Sequence, residues 1–344
     1  MARTTASSER AAEALTLVTD LQGQLVQALE EVSRRHGVDQ AFVTTSWERD
    51  GGRHGGGDRR GTEDTAVLQR ASVNVSQVHY DDLPDKRLSS ATALSAIVHP
   101  TNPFAPSMHV HTSWTEMRDG TGYWRVMADL NPSIELPEQR DRFAAALREA
   151  SGAWYAHGAE QGDRYFFIPA LGRHRGVTHF YLEQHATADH DDDEALARAV
   201  IEAAIRTHAA LVDEALMAHP HPTEADRQRQ LAYHTLYLFQ VTTLDRGTTS
   251  GLLVHDDNDV GILGSLPARV DRDLLGSWAA KVPEPQDALV RALVDAIGAD
   301  GAIDVATKVA LARAVRAHFR AHPEALALQA RGDVVPPTVA NHSA

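Results

Sequence analysis

Between Ala71 and Leu130 the chain places four β-type stretches in one cluster, Ala71–Tyr80, Ala93–Val98, Met108–Trp114 and Gly122–Leu130, with no helical pattern inside it. A doubly wound sheet alternates strand and helix, and this arrangement does not. Helical patterns stand before, between and after the strand clusters. The first covers 9–36, where Leu15, Val18, Leu21, Leu25, Leu29 and Val32 recur at steps of three and four; Ser7 or Ser8 caps it and Gly37 ends it. Others cover 137–156, with Phe143, Leu147, Ala150 and Trp154 on one stripe, and 193–217. The pattern predicts an α+β fold: a large, mainly antiparallel sheet flanked by helices.

Further along, Tyr165–Ile168 and Val177–Glu183 read as strands on either side of the basic turn 172–176. Leu236–Leu244 reads as another strand, and Gly251–His255 faces Val260–Leu266 across Asp256–Asp259 as a hairpin. The glycine-dense segment Asp50–Gly61, with Gly55-Gly56-Gly57, reads as loop. Beyond Trp278, Pro283 and Pro285 mark a break, followed by helical patterns over 286–298 and 303–321. The expected organisation is a main domain over 1–280, a helical extension over 281–330 and an unstructured tail over 331–344, whose Arg331-Gly332-Asp333 carries no weight as a motif.

Composition removes several functions. The 344 residues include no cysteine, which excludes disulfides, thiolate nucleophiles, cysteine-bound zinc and iron–sulfur clusters. Forty-seven acidic residues against 33 basic ones set a field that opposes nucleic acids and acidic membranes. No apolar run approaches the roughly 18–20 residues of a membrane span. The N-terminus lacks a secretory core, so a cytoplasmic location is expected. No Gly-x-Gly-x-x-Gly or Gly-x-x-x-x-Gly-Lys pattern supports nucleotide binding.

The most site-like stretch is 91–114, ATALSAIVHPTNPFAPSMHVHTSW. His99 ends an apolar run, and Pro100, Pro103 and Pro106 stiffen an extended connection. His109-Val110-His111-Thr112-Ser113 then alternates, so its odd positions share one strand face. Two strands so joined present three imidazoles to one cavity. Histidine titrates near neutrality, so proton transfer, metal binding and a purely structural role all remain open for His99 and His109; a metal would need a third ligand such as His111 or Asp129. Asp129 closes a strand before Asn131-Pro132 and reads as a turn cap or a functional carboxylate. Asp245, after Leu236–Leu244 and before Arg246-Gly247, reads as a turn carboxylate or as an acceptor for a bound N–H.

Read in order, these segments resemble the oxygen-dependent coproporphyrinogen-III oxidases. The likeness rests on SVNVSQVHYDDLP (72–84), LSAIVHPTNPFAPSMHVHTSW (94–114), ADLNP (128–132), YFFIP with HRGVTHFYLE (165–183), LDRGTTSGLL (244–253) and GILGSLP (261–267), and it covers about residues 10–278. It implies a flat antiparallel sheet sandwiched by helices, a homodimer, molecular oxygen as co-substrate and no organic cofactor. It also implies oxidative decarboxylation of propionate side chains to vinyl groups. By position, Asp245 matches the acceptor of pyrrole N–H protons, His109 a proton carrier, and His99 and Asp129 active-site groups. Ser95 matches a substrate contact, and Asn74, His111, Ser113 and Arg246 complete the expected substrate-binding set. A metal-free site is expected; a metal, if bound, would use His99 and His109.

Departures from the family pattern qualify the substrate. Its Asn-x-Arg after the second histidine is His111-Thr112-Ser113 here, and its Gly-Gly-Arg in the late hairpin falls on Asp256-Asp257-Asn258. Two further family histidines fall near Phe143 and at Ala170. Serine cannot clamp a carboxylate as arginine does. The expected function is therefore oxygen-dependent oxidative decarboxylation or dehydrogenation of a smaller or less anionic electron-rich heteroaromatic, pyrrole- or indole-like. The alternatives are a genuine coproporphyrinogen III oxidase, with Arg125, Arg173, Arg175 or Arg246 replacing the lost grips, and a non-catalytic tetrapyrrole-binding protein.

Overall fold

The computed structural model describes residues 3–39, 41–255 and 258–333. Helix α1 (Glu9–Arg35) precedes six strands joined as a meander: β1 (Val43–Glu48), β2 (Gly55–Glu63), β3 (Leu68–His79), β4 (Leu88–Pro100), β5 (Ser107–Met117) and β6 (Gly122–Asn131). Helices α2 (Pro137–Ser151) and α3 (Tyr155–Phe166) and a two-residue strand pair, β7 (Phe167–Ile168) with β8 (Arg173–His174), lead to β9 (Thr178–His185). This last strand pairs with β6 and completes an antiparallel sheet of seven strands. Helix α4 (His190–Ala218) follows, then α5 (Glu224–Thr243), α6 (Arg246–Val254), α7 (Asp259–Ile262), α8 (Arg272–Ser277), α9 (Gln286–Ala296) and α10 (Val305–Ala321).

Strand alternation makes the two sheet faces chemically different. One carries Leu94, Ala96, Val98, Met108, Val110, Val126, Ala128, Leu130 and Phe180, all buried in an apolar core with α1, α2 and α4. Ser8 caps α1 through the Ala11 amide, and Asp189 caps α4, whose first turn holds Asp191, Asp192 and Asp193 where the helix dipole favours negative charge. The other face carries Asn74, Ser95, His99, His109, His111, Arg125 and Asp129. The helices from α5 onward pack over it around a second apolar cluster, to which the large sheet contributes Ile97. Helices thus flank the sheet on both faces, as the sequence predicts. Leu289, Val290 and Leu293 of α9 and Leu311 and Val315 of α10 are buried in that same cluster.

Several local expectations are corrected. Leu236–Leu244 is not a strand: residues through Thr243 form the second half of α5, which starts from a capping box at Thr223 and Asp226. Nearly all of 233–243 is buried, so no polar face betrays the helical period. The hydroxyls of Thr235, Thr242 and Thr243 donate to carbonyls four residues back, which lets these β-formers sit in a helix. The expected hairpin over 251–266 is also helical, as α6 and α7, with Asp256 and Asp257 outside the described residues. The helix expected over 137–156 ends at Ser151, where Gly152 adopts φ 51°, and α3 absorbs the start of the expected 165–168 strand. The link from His99 to His109 is a turn closed by the Ala105 amide donating to the Asn102 carbonyl, with the Asn102 side chain accepting from Phe104 N; it is not an extended spacer.

Gly55-Gly56-Gly57, expected as loop, opens strand β2. A Cβ on Gly57 would stand 2.5 Å from the Val75 carbonyl and 2.6 Å from Trp47 Nε1. The glycines let β1, β2 and β3 approach where a side chain would collide. Gly57→Ala is therefore expected to lower stability by about 1–3 kcal/mol, the usual range for overpacking. Urea unfolding of the two proteins side by side checks this; an unchanged midpoint would contradict it.

Candidate active site

Cross-strand register assembles the site. One row runs Asn74, Ser95, His111, Met127 and Tyr181 across β3, β4, β5, β6 and β9. The adjacent row runs Ser72, Ile97, His109, Asp129 and His179. His99 lies two positions beyond Ile97 on the same face of β4. The sheet thus brings His99, His109, His111, Asp129, Ser95 and Asn74 together on the polar face, with the odd positions of β5 aligned as the sequence predicts.

The most constrained element is Asp129, fully buried beneath His109. Its Oδ1 accepts from His109 Nδ1 at 2.9 Å; its Oδ2 accepts from Arg175 Nη2 at 2.7 Å and Asn131 Nδ2 at 2.6 Å. Burial alone would raise this carboxyl, but Arg175, His109 and Asn131 outweigh it and hold the pKa at about 2. Arg175 is itself buried. It donates through Nη1 to Gln240 Oε1 at 2.9 Å, with its guanidinium over the rings of Phe166 (4.4 Å) and Tyr237 (5.1 Å). With Nδ1 engaged by Asp129, Nε2 is the His109 nitrogen left for a ligand.

Asp245 does not end a strand; it caps α6. Its Oδ1 accepts the Thr248 amide at 2.6 Å, and its Oδ2 accepts the Tyr165 hydroxyl at 2.9 Å. Burial, with Asp245 beside it, pushes the Tyr165 phenol well above its ordinary pKa, so Tyr165 keeps its proton and donates. The Tyr165 ring meets Tyr181, the end of the first row, edge-on at 4.7 Å. Burial would lower the Arg175 pKa, and Asp129 and Asp245 are both among the groups that raise it. Arg175 thus feels both carboxylates, while its hydrogen bond goes to Asp129. Each Asp245 oxygen is left with lone-pair capacity for a bound N–H.

His99 is differently placed. Its Nε2 donates to the Ser265 carbonyl at 3.2 Å and its Nδ1 accepts from Ser107 Oγ at 2.9 Å, with the Tyr237 ring edge-on at 4.8 Å. Burial, then neighbouring His234, drives its pKa well below the ordinary value. Both nitrogens are spent on a neutral ring, so His99 has no lone pair for a metal, and His99 with His109 does not fit as a metal pair. Among the described residues no three His, Asp or Glu side chains form a metal-binding group. A cavity of about 570 Å³ lies behind His99, lined by His234, Arg70, Arg227, Arg269 and Gln228, and is separate from His109 and Asp245.

The cations expected to replace the lost grips divide clearly. Arg173 is exposed and Arg175 belongs to Asp129. Arg125 lies directly across from Ser113 in the β5–β6 register. Its Nη2 sits 3.1 Å from Glu183 Oε1, while Arg246 Nη2 sits 2.5 Å from Glu183 Oε2. Two guanidiniums on one carboxylate leave one net positive charge. Arg125 Nε and both Nε and Nη1 of Arg246 are buried without a hydrogen-bond partner among the described residues. His111, burial-depressed in pKa, shares Nε2 with Ser113 Oγ at 3.2 Å, and Asn74 Nδ2 donates weakly to Ser72 Oγ at 3.4 Å.

Residues 13–292 match the family model described as Coproporphyrinogen III oxidase. The chain belongs to that family. It is 28% identical over 256 residues to the oxygen-dependent coproporphyrinogen-III oxidase of Rickettsia bellii (strain OSU 85-389), covering 70% of this chain and 89% of that protein. It is 27% identical over 271 residues to the Rickettsia akari (strain Hartford) protein of the same name, with 73% and 94% covered. It is 26% identical over 281 residues to the mitochondrial protein of that name from Mus musculus, with 73% and 60% covered. Of the two histidine positions of the family pattern noted above, Phe143 lies in the apolar core with α2, away from the polar face. Tyr165, Tyr181, Glu183 and Gln240 are absent from the sequence-derived site. Tyr165, Tyr181 and Glu183 lie within the family-like stretch 165–183 without a role read for them there, Gln240 lies outside every such stretch, and the fold brings all four in.

The Asp129 carboxyl is held at about 2 when folded against an ordinary 3.8. A depressed folded pKa adds stability that is complete above the unfolded value and drains away as pH falls from about 4 to about 2. The contribution is on the order of 2 kcal/mol at neutral pH. Asp129→Asn should cost about 3–5 kcal/mol at pH 7, because Arg175 stays buried without its partner. It should also flatten the loss of stability between pH 4 and 2, which denaturant unfolding at several pH values reads directly.

Proposed function

We propose that this family member is an oxygen-dependent oxidative decarboxylase or dehydrogenase acting on an electron-rich heteroaromatic, pyrrole- or indole-like, that is smaller or less anionic than coproporphyrinogen. The observation that carries this reading is a proton-handling network beside the Arg125–Glu183–Arg246 cluster, in which two guanidiniums share one carboxylate. Asp245 accepts the ring N–H proton, which makes the heteroaromatic a better electron donor. His109, oriented by Asp129 and Arg175, carries a proton at its free Nε2. His99, fixed by Ser107 and Ser265, shapes the wall, while Ser95, Asn74, His111 and Ser113 offer polar contacts along the row. Arg125 and Arg246 hold the substrate carboxylate with their unpartnered N–H groups. For a propionate side chain the reaction balances as carboxylic acid plus dioxygen giving alkene, carbon dioxide and hydrogen peroxide. Two electrons leave the substrate for oxygen and the carboxyl carbon departs as carbon dioxide; neither a metal nor an organic cofactor is required.

A second reading, an ordinary coproporphyrinogen III oxidase like the relatives named above, is favoured by one observation: Arg125 stands opposite Ser113, on the same face and one strand over, so a cation is present near the lost one. We place the protein in the cytoplasm as a homodimer with a small-molecule substrate; among the described residues no helix is long and apolar enough to cross a membrane. The decisive trial is anaerobic incubation with coproporphyrinogen III followed by oxygen. Little or no protoporphyrinogen is expected; efficient conversion would establish the second reading instead. With the true substrate, Asp245→Asn keeps the helix cap but removes the base, and kcat should fall about 10²- to 10⁴-fold. A tetrapyrrole-binding protein without activity would show altered affinity and no oxygen uptake at all.

A further inference from the structure

The chain runs on beyond residue 292, where the family match ends, and its last described residues return to the polar face. After α10 and a short helical turn over 323–328, Gln329 is buried and its side-chain amide donates to Thr249 Oγ1 on α6 at 2.6 Å. The Ala330 amide donates to the Leu244 carbonyl at 3.0 Å, one residue before Asp245. Ala330 itself packs against Met127, Tyr165, Phe166 and Tyr181. A Cβ on Gly332 would stand 2.5 Å from Gln161 Oε1 and 3.6 Å from Glu183 Oε2. Asp333 then closes the crossing: its amide donates to Gln161 Oε1 at 3.1 Å and its carboxylate accepts from Arg164 at 2.6 Å, both on α3. The segment expected as the start of an unstructured tail is therefore placed at 331–333, while 334–344 lie outside the described residues.

The consequence shows along the first row. Asn74, Ser95 and His111 keep part of their surface exposed, whereas Met127 and Tyr181 at the other end are buried. What covers that end is Tyr165, Phe166 and this crossing segment. We infer that residues 329–333 are a specificity-determining strap: they wall the site at its Asp245 and Glu183 end and exclude ligands much larger than one or two aromatic rings. The inference rests on the proposed function for the location of the site, and it adds a steric limit independent of charge. Family members matched only by the region through 292 have no counterpart of this segment within that match.

The test separates size from charge by using two ligands with one carboxylate each, indole-3-propionate and the macrocycle pheophorbide a. A chain ending at Leu328 should bind pheophorbide a about tenfold tighter than the full chain, while indole-3-propionate changes by less than about threefold. Fluorescence titration reads both, and no turnover is needed, so the result stands whatever coproporphyrinogen does in the oxygen assay. An unchanged macrocycle affinity in a truncated chain that melts with the full one overturns the strap, as does an equal gain for both ligands. Should truncation lower the melting temperature, Arg164→Ala with Gln329→Ala loosens both anchors with the chain intact. It should move macrocycle affinity in the same direction by about threefold, and no movement overturns the inference.

Discussion

A carboxylate with no solvent contact has to be compensated by charge, and Asp129 sets that demand at the centre of the molecule. The cost of burying an isolated ion is several kcal/mol even after relaxation. Arg175 meets it from the turn between β8 and β9, giving Nη2 to Asp129 and Nη1 to Gln240. To arrive there its side chain passes between Phe166 and Tyr237, which fixes the end of α3 against the middle of α5. Fixing α3 in turn sets Tyr165 over Tyr181 and beneath Asp245. The geometry of the Asp245 end of the site is thus a consequence of the pairing at the Asp129 end.

This explains which parts of the molecule were legible beforehand. The meander was readable because each strand has one apolar face and one polar face, and alternation survives translation from sequence to sheet. His109, His111 and Ser113 lie on one face for that reason alone. The register partner of His109 was not readable: that Asp129 stands directly across follows from the tight turn at 101–106 and the β5–β6 turn, neither of which alternation specifies. Helix α5 failed for the opposite reason. Its second half, buried on all sides and rich in Thr and aromatic residues, has neither the stripe of a surface helix nor the propensity of one, and tertiary packing overrides both. Asp245 was singled out as a candidate while its local structure was read wrongly; a cap before Arg-Gly-Thr-Thr and a strand end both call for an aspartate. Tyr165 and Glu183 stood inside the family-like stretch 165–183, but nothing local assigned them a role, since they meet residues 80 and 63 positions away.

The two ends of the polar face use charge in different ways. At Asp129 both carboxylate oxygens accept hydrogen bonds, although Arg175 Nε, Asn131 Oδ1 and Gln240 Nε2 around it are buried without a partner among the described residues. At Glu183 the ratio is reversed, with two cations on one anion and three buried N–H groups left over. A buried donor without an acceptor costs about 1–3 kcal/mol. Glu183 Oε1 is itself buried without a hydrogen bond, so the cluster holds a spare acceptor beside its spare donors, and the carboxylate of the proposed substrate would complete the donors.

That count bears directly on substrate class. The protein as a whole carries a net charge of −14, so any anion approaches against the long-range field and is held only by local compensation. A monocarboxylate meets the Arg125–Glu183–Arg246 cluster with balanced charge. A tetracarboxylate would bring three further charges, and of the other cations on this face Arg175 is paired with Asp129, Arg70 with Glu63, and Arg59, across from Asn74, stands at the far end of the row; in a partly desolvated site each charge left unpaired weakens binding by an order of magnitude or more. Arg125 standing across from Ser113 thus restores one grip, and one grip suits a small substrate better than a large one. Ring size and charge point the same way from different residues, the first from the chain crossing at 329–333 and the second from the cluster beneath it.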